Sequence, residues 1–177
     1  NTLTGGAGDD ILNGTTGSDM LFGGLDNDTY TFGTATVGEA DQVIENSGEG
    51  LDTLSFATRT AAVTVYLNST AVQSVHTDRT LQLNSINDFE NVVGGSGADL
   101  LVGNALDNTL TGGAGDDTLN GTTGSDTLVG GQDNDTYTFG ASLAGEADQV
   151  IENTNEGVDT LSFATQTTAV SLFLSTT

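Results

Sequence analysis

The sequence has no cysteine, a single histidine and only two basic side chains, against 25 Asp and Glu. Without cysteine there is no disulfide framework, thiolate zinc site, iron–sulfur ligation or cysteine nucleophile. His76 alone excludes a histidine metal cluster and leaves one possible imidazole base. A formal charge of -23 excludes nucleic acid as a partner, because a phosphate backbone needs a basic footprint. No apolar run approaches the ~18 residues of a membrane-spanning helix, and no basic-then-apolar leader opens the chain. Starting at Asn1 and stopping at Thr177, the chain is expected to be a piece of a longer protein. Leu, Ile, Val and Phe make up 43 of the 177 residues. That is just above the roughly 20% below which a highly charged chain stays disordered. A thin core can form only if something neutralises the carboxylates.

What the chain has instead is repetition, at two scales. Residues 1–70 align without a gap on residues 108–177 with 52 identical positions, so one complete long unit is followed by two thirds of the next. Inside each unit runs a period of nine: GGAGDDILN, GTTGSDMLF and GGLDNDTYT from Gly5, then GGSGADLLV, GNALDNTLT, GGAGDDTLN, GTTGSDTLV and GGQDNDTYT from Gly94. Position 6 is Asp10, Asp19, Asp28, Asp99, Asn108, Asp117, Asp126 and Asp135; position 8 is Leu or Tyr throughout. Asn1 with Leu3, and Glu90 with Val92, extend the phase backwards from each block.

The spacing dictates a shape. Gly at positions 1, 2 and 4 suits a tight turn with positive φ and close backbone approach. Positions 7 to 9 form a short strand whose middle side chain points inward. Turn and strand, twice over, make a coil of two nonapeptides with two walls, and stacked coils pair as parallel strands with each turn over the turn two repeats away. The position 6 aspartates then form columns. At the ~4.8 Å spacing of stacked strands, facing carboxylates need a cation between them. Carboxylates and turn carbonyls at flexible distances suit Ca²⁺, whereas Mg²⁺ demands a stricter octahedron.

These blocks resemble the hemolysin-type calcium-binding nonapeptides of the RTX (repeats-in-toxin) family, G-G-x-G-x-D-x-U-x, and eight tandem copies in phase make the likeness specific. The resemblance implies an all-β fold, a right-handed parallel β-roll or β-helix solenoid, with several Ca²⁺ ions bound between turns two repeats apart. It also implies calcium-triggered folding after export, by a leaderless one-step (type I) secretion route, to the bacterial exterior or cell surface. In such repeats the ligands are the position 6 Asp of both turns, with carbonyls of positions 1 and 3 of one turn and 2 and 4 of the other. Carried over, that pairs Asp10 with Asp28, Asp99 with Asp117, and Asp117 with Asp135. The implied glycine positions are Gly5, Gly6, Gly8, Gly23, Gly24, Gly94, Gly95, Gly97, Gly112, Gly113, Gly115, Gly130 and Gly131.

Departures from the pattern modify the expectation. Asn108 brings one oxygen and no charge, so the site it shares with Asp126 is expected to be weaker. Thr15 and Thr122 stand at position 2 and require a permissive φ. Asp26 and Asp133 stand at position 4, where they either add a carboxylate to the column or cap it.

Four segments follow: a first roll block 1–31, a connecting β segment of longer coils 32–89, a second roll block 90–138 and a second connecting segment 139–177. In the connecting segments the phase is lost but Asp41 and Asp52 still precede inward Val43 and Leu54 by two residues, with steps of 13 and 11 in place of 9. Longer coils can thus continue the solenoid, and Asp41, Glu45 and Asp52 are expected either to complete a half-site left by Asp28 or to form a solvated acidic loop; the same alternatives apply to Asp148, Glu152 and Asp159. Residues 61–67 and 80–86 alternate as strands. Arg59, His76 and Arg79 gather all the positive charge in one stretch with Asp78, and ion pairing to the surplus carboxylates is expected there.

No catalytic constellation is expected: nothing around Ser69 or Ser74 resembles a nucleophile elbow for His76, and the periodicity of the acids already explains them as ligands. The leading reading is a non-catalytic, calcium-dependent structural module of a larger secreted or surface-attached bacterial protein, with neighbouring repeats of the same chain as partners. The alternatives are an adhesive module binding carbohydrate or ice through outward Thr rows, with calcium as scaffold, or the calcium-binding tail of an exported hydrolase or epimerase.

Overall fold

A computed structural model describes residues 1–35, 37–46, 48, 50–140, 146–153 and 156–166. Parts of the second connecting segment, residues 141–145, 154–155 and 167–177, lie outside the described residues.

Every regular element among the described residues is a β-strand. In chain order they are β1 (Thr2–Ala7), β2 (Ile11–Asn13), β3 (Met20–Leu25), β4 (Thr29–Thr31), β5 (Glu39–Ile44), β6 (Thr53–Ser55), β7 (Thr64–Tyr66), β8 (Gln73–His76) and β9 (Arg79–Leu83). There follow β10 (Asn91–Val93), β11 (Leu100–Val102), β12 (Thr109–Ala114), β13 (Thr118–Asn120), β14 (Thr127–Gln132), β15 (Thr136–Thr138), β16 (Gln149–Ile151) and β17 (Thr160–Ser162). The short strands are positions 7 to 9 of the nonapeptides, as their alternation requires. Four strands, β1, β3, β12 and β14, run on through the Gly-Gly pair, which the spacing alone assigned to the turn; Gly6 pairs with Gly24 and Gly113 with Gly131.

The strands form a parallel β-solenoid. One wall is a seven-stranded sheet in the order β16-β14-β12-β10-β6-β4-β2, so it takes strands from both blocks. Facing it are two five-stranded sheets, β1-β3-β5-β9-β8 and β17-β15-β13-β11-β7. Within a block the register advances two nonapeptides per coil, pairing Leu12 with Tyr30 and Leu110 with Leu128. The longer coils keep this register, pairing Leu21 with Val43 and Tyr30 with Leu54, and a larger insertion joins Leu54 to Val92.

Position 8 builds the core. Leu12, Tyr30, Leu54, Val92, Leu110 and Leu128 of the seven-stranded wall are buried against Leu21, Val43, Leu83, Val65, Leu101, Leu119 and Tyr137 opposite. Phe32 and Phe56 stack at 5.1 Å between ring centres and close the lateral edge of the core where the coils lengthen.

One pairing departs from the parallel pattern: β8 runs antiparallel to β9, making a hairpin turned at Thr77 and Asp78. It closes the first five-stranded sheet where the second begins. There Gln73 replaces a strand, its side-chain Oε1 accepting the Tyr66 N–H at 2.8 Å and its Nε2 donating to the Tyr66 carbonyl at 3.1 Å. The detour places each strand of the second unit on the wall opposite its counterpart: β1 lies in a five-stranded sheet, while β12, which repeats its sequence, lies in the seven-stranded one.

Candidate metal centre

Parallel register stacks position 6 of each coil over position 6 of the next, giving three columns. Asn1, Asp19 and Asp41 rise along the first five-stranded sheet. Asp10, Asp28, Asp52, Glu90, Asn108, Asp126 and Asp148 rise along the seven-stranded sheet, and Asp99, Asp117, Asp135 and Asp159 along the second five-stranded sheet.

Each tier is joined to the next by the same bond. The backbone N–H at one position 6 donates to the carboxylate Oδ1 at the next: Asp10 to Asp28, Asp28 to Asp52, Asp19 to Asp41, Asp99 to Asp117, Asp117 to Asp135, Asn108 to Asp126, all between 2.7 and 2.9 Å. Asp126 to Asp148 and Asp135 to Asp159 continue at 3.1 and 3.0 Å, and Glu90 Oε2 takes the Asp52 N–H at 2.9 Å. The pairs that the resemblance implies are therefore each brought together, as is Asn108 with Asp126, and Asp52 and Asp159 follow Asp28 and Asp135. Asp41 and Asp148, expected at the same half-sites, instead stack on Asp19 and Asp126, because their strands pair with β3 and β14 and not with β4 and β15.

In four of these carboxylates one oxygen is held by a hydrogen bond and the other is left over. The Oδ2 atoms of Asp19, Asp28, Asp117 and Asp135 are buried with no hydrogen-bond partner. An unpaired buried carboxylate oxygen is costly, and a cation is what such oxygens accept. Asp99 differs, since Gly95 N–H and Val63 N–H satisfy both of its oxygens at 2.7 Å. Burial raises the pKa of Asp28, Asp99 and Asp135, and takes Asp117 to about 7 and Asp126 to about 6. Desolvation is the first cause in each case; neighbouring carboxylates add to it except at Asp99, which Arg59 offsets.

The glycines serve three needs. Position 1 lies under the position 6 carboxylate: a Cβ on Gly5, Gly94, Gly112 or Gly130 would collide with the Oδ2 of Asp10, Asp99, Asp117 or Asp135, and one on Gly23 with Asp28. Gly6, Gly24, Gly113 and Gly131 at position 2 carry φ between 111° and 122°; Gly8 and Gly115 at position 4 carry 96° and 102°. Gly95 and Gly97 are instead crowded by the backbones of Arg59 and Ala62. Thr15 and Thr122 hold left-handed φ of 43° and 78°, met by an Asx turn in which Asn13 and Asn120 accept their N–H groups. Asp26 and Asp133 are also left-handed, and their Oδ2 atoms accept the N–H of Gly8 and Gly115 one coil back, so they cap the turn.

At two tiers the chain supplies its own donors. The Asn108 amide donates to the Glu90 carbonyl at 3.1 Å and to Asn104 Oδ1 at 3.1 Å. Arg79, buried and 5.3 Å above the Phe32 ring, pairs with Asp41 and with Glu39 at 2.9 Å, where the Asp19–Asp41 column ends. Arg59 binds both oxygens of Asp78 and the Gly33 carbonyl, and His76 also meets Asp78. Both arginines are thus consumed in ion pairs, and His76 hydrogen-bonds Asp78.

Sequence reasoning missed a second, outer ladder. Position 5 side chains accept the position 5 N–H of a neighbouring coil: Asp9 from Asn27, Asn27 from Leu51, Asp107 from Ser125, Asp116 from Asn134. The signal was present, since position 5 is Asp or Asn in five of the eight blocks.

A parallel β-roll whose stacked turns carry buried, half-satisfied carboxylates defines a calcium-binding repeat module. The donors are all hard oxygens, the leftover atoms lie within the turn stack, and the glycines clear the space. The comparison with protein families agrees: the RTX calcium-binding nonapeptide repeat matches in four copies, at residues 1–30, 87–113, 93–125 and 111–141, and the two blocks of this chain belong to that repeat family. Its cofactor is Ca²⁺. No individual curated protein matches the chain.

Proposed function

We propose that this chain is a non-catalytic module whose folding is driven by calcium, carried within a larger secreted or surface-attached bacterial protein. The leftover Oδ2 atoms of Asp28, Asp117 and Asp135 carry this reading: buried, unpartnered and stacked in columns, they oppose the fold until a cation lies among them. Position 6 pairs such as Asp10–Asp28 and Asp117–Asp135 would hold the ions together with turn carbonyls, and segments 32–89 and 139–177 would act as continuations of the roll. In an ion-poor cytosol the chain stays open and exportable; in calcium-rich surroundings outside the cell, binding energy becomes folding energy. Neighbouring copies of the long unit would extend the solenoid at its open ends. Far-UV circular dichroism of the chain in excess Ca²⁺ and after EDTA is the test. A β spectrum that collapses on chelation and returns with Ca²⁺ is expected; one unchanged by EDTA overturns the reading.

A further inference from the structure

Three carboxylates lie where each nonapeptide block gives way to the longer coils. Asp28, Glu45 and Asp52 each bring an oxygen within 4.8 Å of the others, and Asp135, Glu152 and Asp159 repeat the cluster in the second unit. Only Asp28 and Asp135 belong to nonapeptides; Glu45 and Asp52 lie outside the segments matched to the repeat family, as do Glu152 and Asp159.

Acidic residues often gather without a ligand, so the oxygens left over decide. Asp28 and Glu45 are each 1% exposed, and Asp28 Oδ2 and Glu45 Oε2 have no hydrogen-bond partner. Both side chains are held in place from behind: the Asp10 N–H fixes Asp28 Oδ1, and the Tyr30 hydroxyl donates to Glu45 Oε1. Asp28 Oδ2, Glu45 Oε1 and the Tyr30 hydroxyl converge over Gly23, where any Cβ would strike all three. In the second copy the Tyr137 hydroxyl donates to Glu152, and Asp135 Oδ2 is again buried and unpartnered over Gly130. Both arginines are engaged elsewhere, with Asp78 and with Glu39 and Asp41. No protein cation reaches either cluster among the described residues.

We propose that each block ends in a cation site of a second kind, in which Asp28, Glu45 and Asp52, and likewise Asp135, Glu152 and Asp159, hold one hard divalent cation beside a tyrosine hydroxyl. The site differs from the stacked-turn sites in taking a glutamate from a longer coil in place of turn carbonyls alone. Three carboxylates suit Ca²⁺ above softer metals, because no nitrogen or sulfur donor is present. It lies where the nine-residue phase ends, and so couples the longer coil to the last nonapeptide. The choice of Ca²⁺ rests on the calcium reading of the columns; the existence of the site rests on its own geometry.

Native mass spectrometry of the chain in Ca²⁺ counts the ions directly, in the wild type and in the Glu45→Gln and Glu152→Gln variants. Each substitution is expected to remove one bound Ca²⁺, and the double variant two, with the remaining ions retained. Tyrosine-sensitised Tb³⁺ emission is expected to fall in step, since Tyr30 and Tyr137 adjoin the two sites and the chain has no tryptophan. An unchanged Ca²⁺ count in both variants overturns this inference while leaving calcium binding intact. A wild-type chain that binds no Ca²⁺ overturns the calcium reading itself. Because Glu152 is exposed, Glu152→Gln decides the matter even if Glu45→Gln fails to fold.

Discussion

A glycine at position 1 is required by crowding, whereas at positions 2 and 4 Gly6, Gly8, Gly24, Gly113, Gly115 and Gly131 answer a backbone conformation and Gly95 and Gly97 crowding again. A Cβ on Gly112 meets Asp117 Oδ2 and, at 2.7 Å, the Gly130 carbonyl, both of which are oxygens the calcium reading needs. Gly112→Ala is therefore expected to cost about 1–3 kcal/mol through overpacking, and to weaken Ca²⁺ binding at that tier; denaturant titration in saturating Ca²⁺ and calcium titration of the folding transition measure the two. Arg79 is the opposite case, a residue that replaces an ion. Its removal takes the guanidinium from two buried carboxylates, so Arg79→Gln is expected to cost about 3–5 kcal/mol in saturating Ca²⁺, read from urea unfolding. A loss below about 1 kcal/mol would mean that the guanidinium is not what holds this tier. Position 6 was legible because a carboxylate that recurs in phase with an inward apolar side chain already describes a column. Arg79 was legible only as a positive charge, since its partners lie 38 and 40 residues away.

Among the elements, the short strands follow from their alternation, and the side chains that the period selects at position 8 are the core of both blocks. The hairpin β8–β9 does not follow from it. Its strands alternate like the others, and what makes them antiparallel is the two-residue turn at Thr77 and Asp78, too short for a parallel crossover. Asp78 is held there by Arg59, with the seam at Gln73 alongside. That seam gives a direct test: Gln73 satisfies both backbone groups of Tyr66 at the junction of the two five-stranded sheets. Gln73→Ala leaves an N–H and a carbonyl unpaired there, with an expected loss of about 1–3 kcal/mol. Hydrogen exchange should show the Tyr66 amide losing protection, while β13 and β15 keep theirs.

For the molecule as a whole, the charge of -23 sets the pH behaviour. Burial carries Glu45 and Asp117 to about 7 and Asp52 and Asp126 to about 6, above the carboxylate range of an unfolded chain. A raised acid binds its proton more tightly in the fold. Its contribution without metal is therefore fully present below the unfolded pKa of about 4, and is lost as pH rises through about 6 to 7. Calcium requires the ionised form, so its stabilisation runs the other way and fades as pH falls through the same window. In EDTA the β content that survives is expected to be greater near about pH 5 than near about pH 8; in excess Ca²⁺ the unfolding midpoint follows the opposite order. Circular dichroism decides it, as a spectrum in EDTA and as a thermal melt in Ca²⁺, and β content in EDTA that rises with pH would contradict the sign.

The sequence by itself determined the coil, the inward residues, the position 6 columns and the choice of a hard cation, because these depend on a short period that local geometry converts directly into stacking. It also set Asp52 beside Asp28 despite the broken phase, since Asp52 still stands two residues before an inward side chain; Asp41, which it grouped with them, stacks on Asp19 across the solenoid. Only the tertiary structure decided which carboxylate oxygens remain free, which tiers the chain neutralises with Arg79 or the Asn108 amide, and that the second unit lies with its walls exchanged. Those outcomes depend on contacts between residues some 18 to 40 positions apart, and on a hairpin that adds strands to one wall without adding them to the other. A nine-residue pattern carries no information about either.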